Sequence, residues 1–214
     1  MSFDRLAPHY TWMEAVLAGP RLQRCRTAWL EKLAGCRHLL IAGVGHGHFL
    51  RACALRFPTL AITSVDASAV MLKHARLRSR SVPFPARLQF EHATFPDWQP
   101  PANTFDAIAT HFFLDCFPPS QLAEVVNTIA NASRRSAKWL ITDFAVPDRG
   151  WRRQRARAIH ALMYSFFRPL AGVAARRVTP PDHLLEAAGF RLKHRLTREL
   201  GLLHADLWSR GDGA

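Results

Sequence analysis

Three glycines and one aspartate are the residues whose types and spacing most clearly indicate chemistry. Gly43, Gly45 and Gly47 follow the apolar segment 39–42 and precede a helix-like segment. Glycines at such a turn let a ligand approach the backbone closely, and the helix behind them offers free N–H groups. Asp66 ends a second apolar segment, 19 residues after Gly47. In a doubly wound sheet these strand ends are neighbours, so a carboxylate there can accept both hydroxyls of a ribose.

Alternating strand-like and helix-like segments must position these residues. The predicted strands are 39–42, 60–65, 87–91, 105–110, 137–142, 190–196 and 202–208, and the helices between them are 47–56, 68–79 and 119–133. Short apolar strands separated by helices of this length predict βαβ units and a parallel sheet covered on both faces.

Four segments carry a family resemblance. Segment 64–75, with its acidic residue, Ser, Met-Leu and later Ala, is similar to the second-strand motif of class I S-adenosylmethionine-dependent methyltransferases. Segment 105–108 with Leu114 resembles their fourth-strand motif, and 141–144 the end of their fifth strand. Segment 3–10 resembles the N-terminal segment of the branch that includes ubiquinone and menaquinone biosynthesis methyltransferases.

The resemblance covers nearly the whole chain and implies a single α/β domain with a Rossmann-like, seven-stranded, mostly parallel sheet and helices on both faces. In chain order we expect an N-terminal helical lid (1–35), a cofactor-binding core (36–146), a basic helix that covers the substrate (147–178), and a C-terminal helix and strand pair (179–214). The lid helix, 10–33, is interrupted at Gly19-Pro20. The basic helix, 151–168, stops at Pro169, and a capping box at 179–182 starts the helix 180–188.

The resemblance also implies which residues surround the cofactor, S-adenosylmethionine, which becomes S-adenosylhomocysteine after transfer. The implied binding residues are Tyr10, Gly43, Gly45, Gly47, Asp66, Ala67, Met71, His92, Ala93, His111 and Phe112. Two positions depart from the family pattern. Ile41 stands where the first strand usually ends with an acidic residue, and His92 stands where an acidic residue usually lies near the adenine. A non-catalytic, methyltransferase-like partner subunit is therefore an alternative.

Methyl transfer from a sulfonium makes few demands on acid–base chemistry. It is an in-line displacement in which the protein aligns donor and acceptor and excludes water. A general base is needed only if the acceptor must lose a proton. The candidates are His111 and Asp115, four residues apart at the expected mouth of the sheet, and Tyr10 in the lid. A capping or packing role is the alternative for each.

The formal net charge of +13 leaves several partners open. The basic helix 151–168 has three interpretations. It covers a hydrophobic acceptor, it rests on an anionic membrane, or it faces the core with a solvated basic end. RNA, as tRNA or rRNA, is an alternative acceptor. However, the basic residues are spread along the chain, and an arginine-rich coding bias also explains them. We expect a small, apolar or aromatic acceptor methylated on O, N, C or S.

Cysteine usage and hydropathy predict the location. The four cysteines are scattered without metal-ligand spacing, so we expect neither a disulfide framework nor a metal site. The chain has no apolar run of 18 residues and no apolar signal-peptide core near Met1. We therefore expect a cytoplasmic protein, with the inner face of the membrane as a peripheral location.

Overall fold

A seven-stranded sheet forms the centre of the part of the chain that the computed structural model describes, residues 19–84, 87–147, 149–171 and 178–211. The strands are β1 (His38–Ala42), β2 (Ala61–Asp66), β3 (Leu88–His92), β4 (Phe105–His111), β5 (Ser133–Phe144), β6 (Phe190–Arg198) and β7 (Leu203–Arg210). Their order is β3-β2-β1-β4-β5-β7-β6. The first five run parallel, and β7 is antiparallel to both β5 and β6. This arrangement confirms the predicted seven-stranded, mostly parallel, Rossmann-like fold.

Six α-helices accompany the sheet in the described residues: α1 (Gly19–Arg26), α2 (His48–Arg56), α3 (Ala69–Arg78), α4 (Pro119–Ala132), α5 (Gly150–Ala171) and α6 (Asp182–Ala187). α1 begins at Gly19-Pro20, where the sequence predicted an interruption, and the residues before Gly19 lie outside the described part of the chain. Two sequence predictions about helix ends are wrong. α5 continues past Pro169 to Ala171, because a proline this close to a helix end removes only one hydrogen bond. α6 starts at Asp182 behind Pro181, without a side-chain cap, so the capping box does not form.

Both faces of the sheet are covered, and strand periodicity decides which residue faces which layer. In β1, Leu40 and Ala42 pack into the apolar layer that includes α4, whereas Leu39 and Ile41 pack into the layer formed with α2 and α3. In β4, Ile108 packs into the layer that includes α4, whereas its neighbours Ala107 and Ala109 pack into the layer with α2 and α3.

The order of the strands reverses between β1 and β4, since β1 pairs with β2 on one side and with β4 on the other. Chain segments leaving the two strands diverge at such a point and leave a crevice at the carboxyl edge of the sheet. Segment 43–47, Asp66 and His111 all leave the sheet at this edge. No helix in the described residues is both long and apolar enough to cross a bilayer.

Candidate functional site

A cavity of about 460 Å³ opens at the carboxyl edge of the sheet, within the size range of small-ligand sites. It is lined by Gly43, Gly45, Val65, Asp66, Ala67, Met71, Ala93, Thr94, Phe95, Pro96, Asp97, His111, Phe112, Phe113, Cys116, Phe117, Gln121 and Glu124. Eight of the eleven residues expected to hold the cofactor, including His111, are thus brought together. Gly47 and His92 lie outside this lining, and Tyr10 lies outside the described residues.

The glycines of the loop after β1 have different structural tasks. All three adopt positive φ, which an L side chain rarely adopts: Gly43 at 74°, Gly45 at 53° and Gly47 at 76°. A Cβ at Gly47 would lie 2.8 Å from the Ala75 Cα, so this glycine permits α2 and α3 to approach each other. A Cβ at Gly45 would meet no atom within 4 Å. Gly43 and Gly45 line the main cavity, whereas Gly47 lines only a smaller neighbouring one.

Asp66 connects the glycine loop to the start of α3. Its Oδ2 accepts a hydrogen bond from the Gly45 N–H at 2.9 Å, and its Oδ1 accepts one from the Ser68 N–H at 3.0 Å. Ser68 caps α3 by accepting from the Met71 N–H at 3.2 Å. These two bonds fix the orientation of the Asp66 carboxylate.

His92 and Ala93 follow β3 but face different surroundings. Ala93 lines the cavity, and its N–H donates to the Asp66 carbonyl at 3.2 Å. His92 is exposed, lies outside the cavity lining, and its Nε2 is 3.2 Å from the Ala67 carbonyl oxygen. Its ring therefore contacts the rim of the site through Ala67 rather than the cavity itself.

Asp97 and Glu124 are lining residues that the sequence analysis missed. Thr94 donates its hydroxyl to Asp97 Oδ2 at 3.0 Å, which holds this carboxylate five residues after His92. The carboxylate within a Phe-Pro-Asp turn was a visible signal for Asp97, whereas nothing in the sequence pointed to Glu124 of α4. Together with Asp66, these residues place three carboxylates in the lining, and no Arg or Lys stands among the described lining residues.

An aromatic wall, defined here as Phe95, Phe112, Phe113 and Phe117, forms the other part of the cavity. The ring centroids of Phe95 and Phe113 are 5.5 Å apart, and those of Phe113 and Phe117 are 5.0 Å apart. Phe112 adopts a φ of 54°, and its N–H donates to the Thr142 carbonyl at 2.7 Å. A non-glycine residue in the left-handed region at a cavity is a local strain that surrounding contacts must hold.

His111, at the end of β4, is a neutral imidazole. It is 9% exposed, and its Nε2 has no hydrogen-bond partner among the described residues. Burial, followed by the charge of Arg26, lowers its pKa to about 3. Because an efficient general base has a pKa near the working pH, this imidazole is suited to hydrogen bonding rather than to proton abstraction.

Asp115 lies behind the aromatic wall and does not line the cavity. It is buried, and burial raises its pKa to about 6. The Cys116 thiol, at 3.6 Å, and Asp143 both interact with its carboxylate. Burial and the Asp115 charge raise the pKa of Asp143 as well. The tertiary structure thus makes Asp115 a member of a buried carboxylate pair. Tyr10, the third candidate, lies outside the described residues.

Comparisons with known proteins fit this geometry. Residues 39–136 match the family model described as a methyltransferase domain. The mitomycin 7-O-methyltransferase MmcR has a TM-score of 0.74 at 18% identity, with 99% of this chain and 61% of that chain covered. An O-methyltransferase family protein from Burkholderia thailandensis has a TM-score of 0.71 at 16% identity, covering 97% of this chain and 60% of that one. The chain thus spans about three fifths of the length of these two structures.

A third solved structure is the magnesium protoporphyrin IX methyltransferase from Synechocystis PCC 6803 with bound S-adenosylhomocysteine. It has a TM-score of 0.65 at 13% identity, covering 88% of this chain and 83% of that chain. No curated protein matches the sequence. The family match covers residues 39–136, and the three solved structures show the fold that this chain shares with them. The resemblance to the ubiquinone and menaquinone branch stays a prediction.

Proposed function

We propose, from the methyltransferase domain at residues 39–136, that the protein transfers a methyl group from S-adenosylmethionine to a small apolar or aromatic acceptor. The observation that carries this proposal is the lining of the cavity, with three carboxylates, four phenylalanines and no Arg or Lys among its described residues. This lining stands out because the chain has a formal net charge of +13.

The charge of the cofactor fits this lining. S-adenosylmethionine carries a sulfonium and an ammonium against one carboxylate, so its net charge is positive. A basic protein repels such a ligand at long range, and a cleft lined by carboxylates attracts it locally, since walls of one sign focus the field. The same lining disfavours a polyanionic acceptor, which argues against RNA as the alternative.

Individual residues fit the parts of the cofactor. Asp66, oriented by Gly45 and Ser68, is placed to accept hydrogen bonds from ribose hydroxyls. Ala67, Met71 and Ala93 supply apolar surface beside it for the adenine. When bound, the cofactor supplies the electrophilic methyl group for an in-line displacement.

The aromatic wall carries the proposal for the acceptor. Phe112 and Phe113, just past β4, offer ring faces against which a flat apolar molecule can be aligned and from which water is excluded. The weakly basic His111 provides no strong base in the cavity. The site therefore suits an acceptor that is nucleophilic without losing its proton to His111, and the acceptor atom is left to experiment.

Titration calorimetry tests the cofactor assignment. We expect wild-type protein to bind S-adenosylmethionine in the micromolar range, and Asp66→Asn to weaken binding about 10- to 100-fold, because a charged acceptor of ribose hydroxyls is lost. Asn keeps one oxygen that can accept from the Gly45 N–H. Asp106→Asn is the matched control, since Asp106 accepts backbone N–H groups of Arg37 and His38 at the opposite end of the sheet. Absence of binding to folded wild-type protein would instead favour the non-catalytic subunit.

A specific surface supports a second element of the proposal, contact with an anionic membrane. Residues 149–181 contain eight arginines and no Asp or Glu. On α5, Trp151 is 62% exposed and Leu162 is 73% exposed, and the exposed Arg152 and Arg157 flank them. Exposed apolar side chains bordered by arginines are typical of helices that lie in a lipid interface. His160 of α5 contacts Phe144, whose ring is 5.1 Å from that of Phe112, so this helix adjoins the aromatic wall.

Liposome sedimentation tests this contact. We expect vesicles with anionic lipid to bind the protein and neutral vesicles to bind it weakly, because each basic residue near an anionic surface contributes about 1 kcal/mol. The double variant Arg152→Glu/Arg157→Glu should release it. Arg51→Glu, at an exposed arginine of α2, is the control and should leave binding nearly unchanged. Equal losses in both variants would contradict a role for α5.

A further inference from the structure

We propose that Arg26 and His111 form a subsite for the α-amino-acid end of the cofactor, with Arg26 on its carboxylate and His111 on its ammonium group. This subsite takes over a task that the resemblance assigns to an acidic residue at the position of Ile41. The inference rests on the proposed function and deepens it.

Ile41 has no capacity for this task. It is 4% exposed and belongs to the apolar layer formed by β1, α2 and α3. A side chain without polar atoms cannot bind an ammonium group, so the chain needs another polar partner at this end of the cavity.

A small second cavity adjoins the glycine loop. Its volume is about 30 Å³, which suffices for one or two water-sized groups such as a carboxylate. It is lined by Arg26, Ile41, Gly43, Val44, Gly45, His46, Gly47, His48, Phe49 and His111. Gly43, Gly45 and His111 line both cavities, so the two cavities adjoin each other at these residues.

Arg26 brings a positive charge to this small cavity. It is the last residue of α1, is 9% exposed, and its guanidinium carbon lies 5.1 Å from the Phe112 ring centroid. A planar guanidinium matches a carboxylate with two parallel hydrogen bonds, and it is the side chain best suited to such a pair in a desolvated place.

His111 brings an orphan polar atom to the boundary between the cavities. Its Nε2 is buried without a partner among the described residues, and a buried polar atom in that state is usually completed by a ligand or a water. Burial and the charge of Arg26 keep the ring neutral by lowering its pKa to about 3. A neutral imidazole nitrogen can accept a hydrogen bond from an ammonium group.

Arg26 therefore supplies a positive charge, and His111 supplies a neutral hydrogen-bond acceptor, at the same small cavity. A zwitterionic amino-acid end offers the complementary pair, a carboxylate and an ammonium.

Analogues of S-adenosylhomocysteine test the subsite in the wild-type protein without any substitution. Calorimetry compares the intact compound with its decarboxylated form, its deaminated form, and 5′-methylthioadenosine, which lacks both groups. We expect the loss of either group to weaken binding about 10- to 100-fold, the range for charge-assisted hydrogen bonds. Equal affinity for all four compounds would overturn the subsite and leave the proposed function standing. No binding of any of them would overturn the proposed function itself.

Variants then assign each group to its residue. Arg26→Gln should weaken binding of S-adenosylhomocysteine about 10- to 100-fold but leave the decarboxylated form and 5′-methylthioadenosine unchanged. His111→Phe should affect only compounds that keep the amino group. Arg24→Gln, at an exposed arginine of the same helix, is the control. If Arg26→Gln weakened 5′-methylthioadenosine as much as the intact compound, its role would be structural, and the inference would fall. If Arg26→Gln fails to fold, Arg26→Lys replaces it in the test. Because Lys keeps the charge but not the paired hydrogen bonds, we expect a smaller loss of affinity for S-adenosylhomocysteine.

Discussion

The buried carboxylate pair of Asp115 and Asp143 makes stability depend on pH. Asp115 is 7% exposed and Asp143 is 3% exposed. Burial raises the pKa of Asp115 from 3.8 to about 6, and burial together with the Asp115 charge raises that of Asp143. The folded protein therefore holds protons that the unfolded chain has already released. We predict that Asp115→Asn, which removes the ionisable group but keeps a similar shape, stabilises the protein at alkaline pH.

The size of the effect follows from the pKa of Asp115. A shift of about 2 units corresponds to about 3 kcal/mol between the two protonation states. Because the folded pKa is the higher one, the stabilising effect of the proton is fully present below about pH 4 and is lost as pH rises through 6. At pH 8 the variant should therefore gain about 3 kcal/mol over wild type, which for a chain of this length is about 6 to 12 °C in Tm. Near pH 4 the two proteins should be about equally stable.

Urea unfolding of both proteins at several pH values between 4 and 8.5 checks this prediction. The difference between variant and wild type cancels the contribution of titrating groups far from Asp115, whereas the contribution of its neighbour Asp143 changes with the substitution. The reasoning is refuted if the Asp115→Asn difference is constant across the range, or if the variant is the less stable protein at pH 8.

Two further predictions concern stability. Gly47→Ala should destabilise the fold by about 2 to 4 kcal/mol in urea unfolding, because its Cβ would meet Ala75 at a positive φ, whereas Gly45→Ala should cost only about 1 to 2 kcal/mol since that space is open. Equal losses would refute the packing role of Gly47. Arg195→Met should cost about 3 to 5 kcal/mol, because it leaves Asp206, which is 1% exposed, without its guanidinium partner. The exposed pair of Arg21 and Glu199 is the comparison, and Arg21→Met should change unfolding by less than about 1 kcal/mol.

Features that depend on neighbours in the chain were predicted well. The apolar segments became β1 to β7 with ends shifted by a few residues, because alternation and turn residues act over short distances. The positive φ of Gly43, Gly45 and Gly47 was likewise readable from residue type and position after a strand. Asp66 reached the cavity because the end of a parallel strand determines the edge at which its side chain emerges.

The accessibility and surroundings of each polar group depended on contacts between distant segments. His92 and Asp97 are five residues apart, yet only Asp97 lines the cavity, because the loop after β3 turns the first outward. The sequence predicts Asp115 as a candidate base at the mouth of the sheet, whereas in the structure it is buried and does not line the cavity.

The sequence by itself thus determined the order of strands and helices, the glycine turn and the acidic strand end, since these follow from local periodicity and backbone conformation. Only the tertiary structure decided which charges share a site. Arg26 and His111 stand 85 residues apart in the chain, yet the charge of one lowers the pKa of the other. Burial and electrostatic fields are sums over all elements packed around a group, and no local pattern contains them.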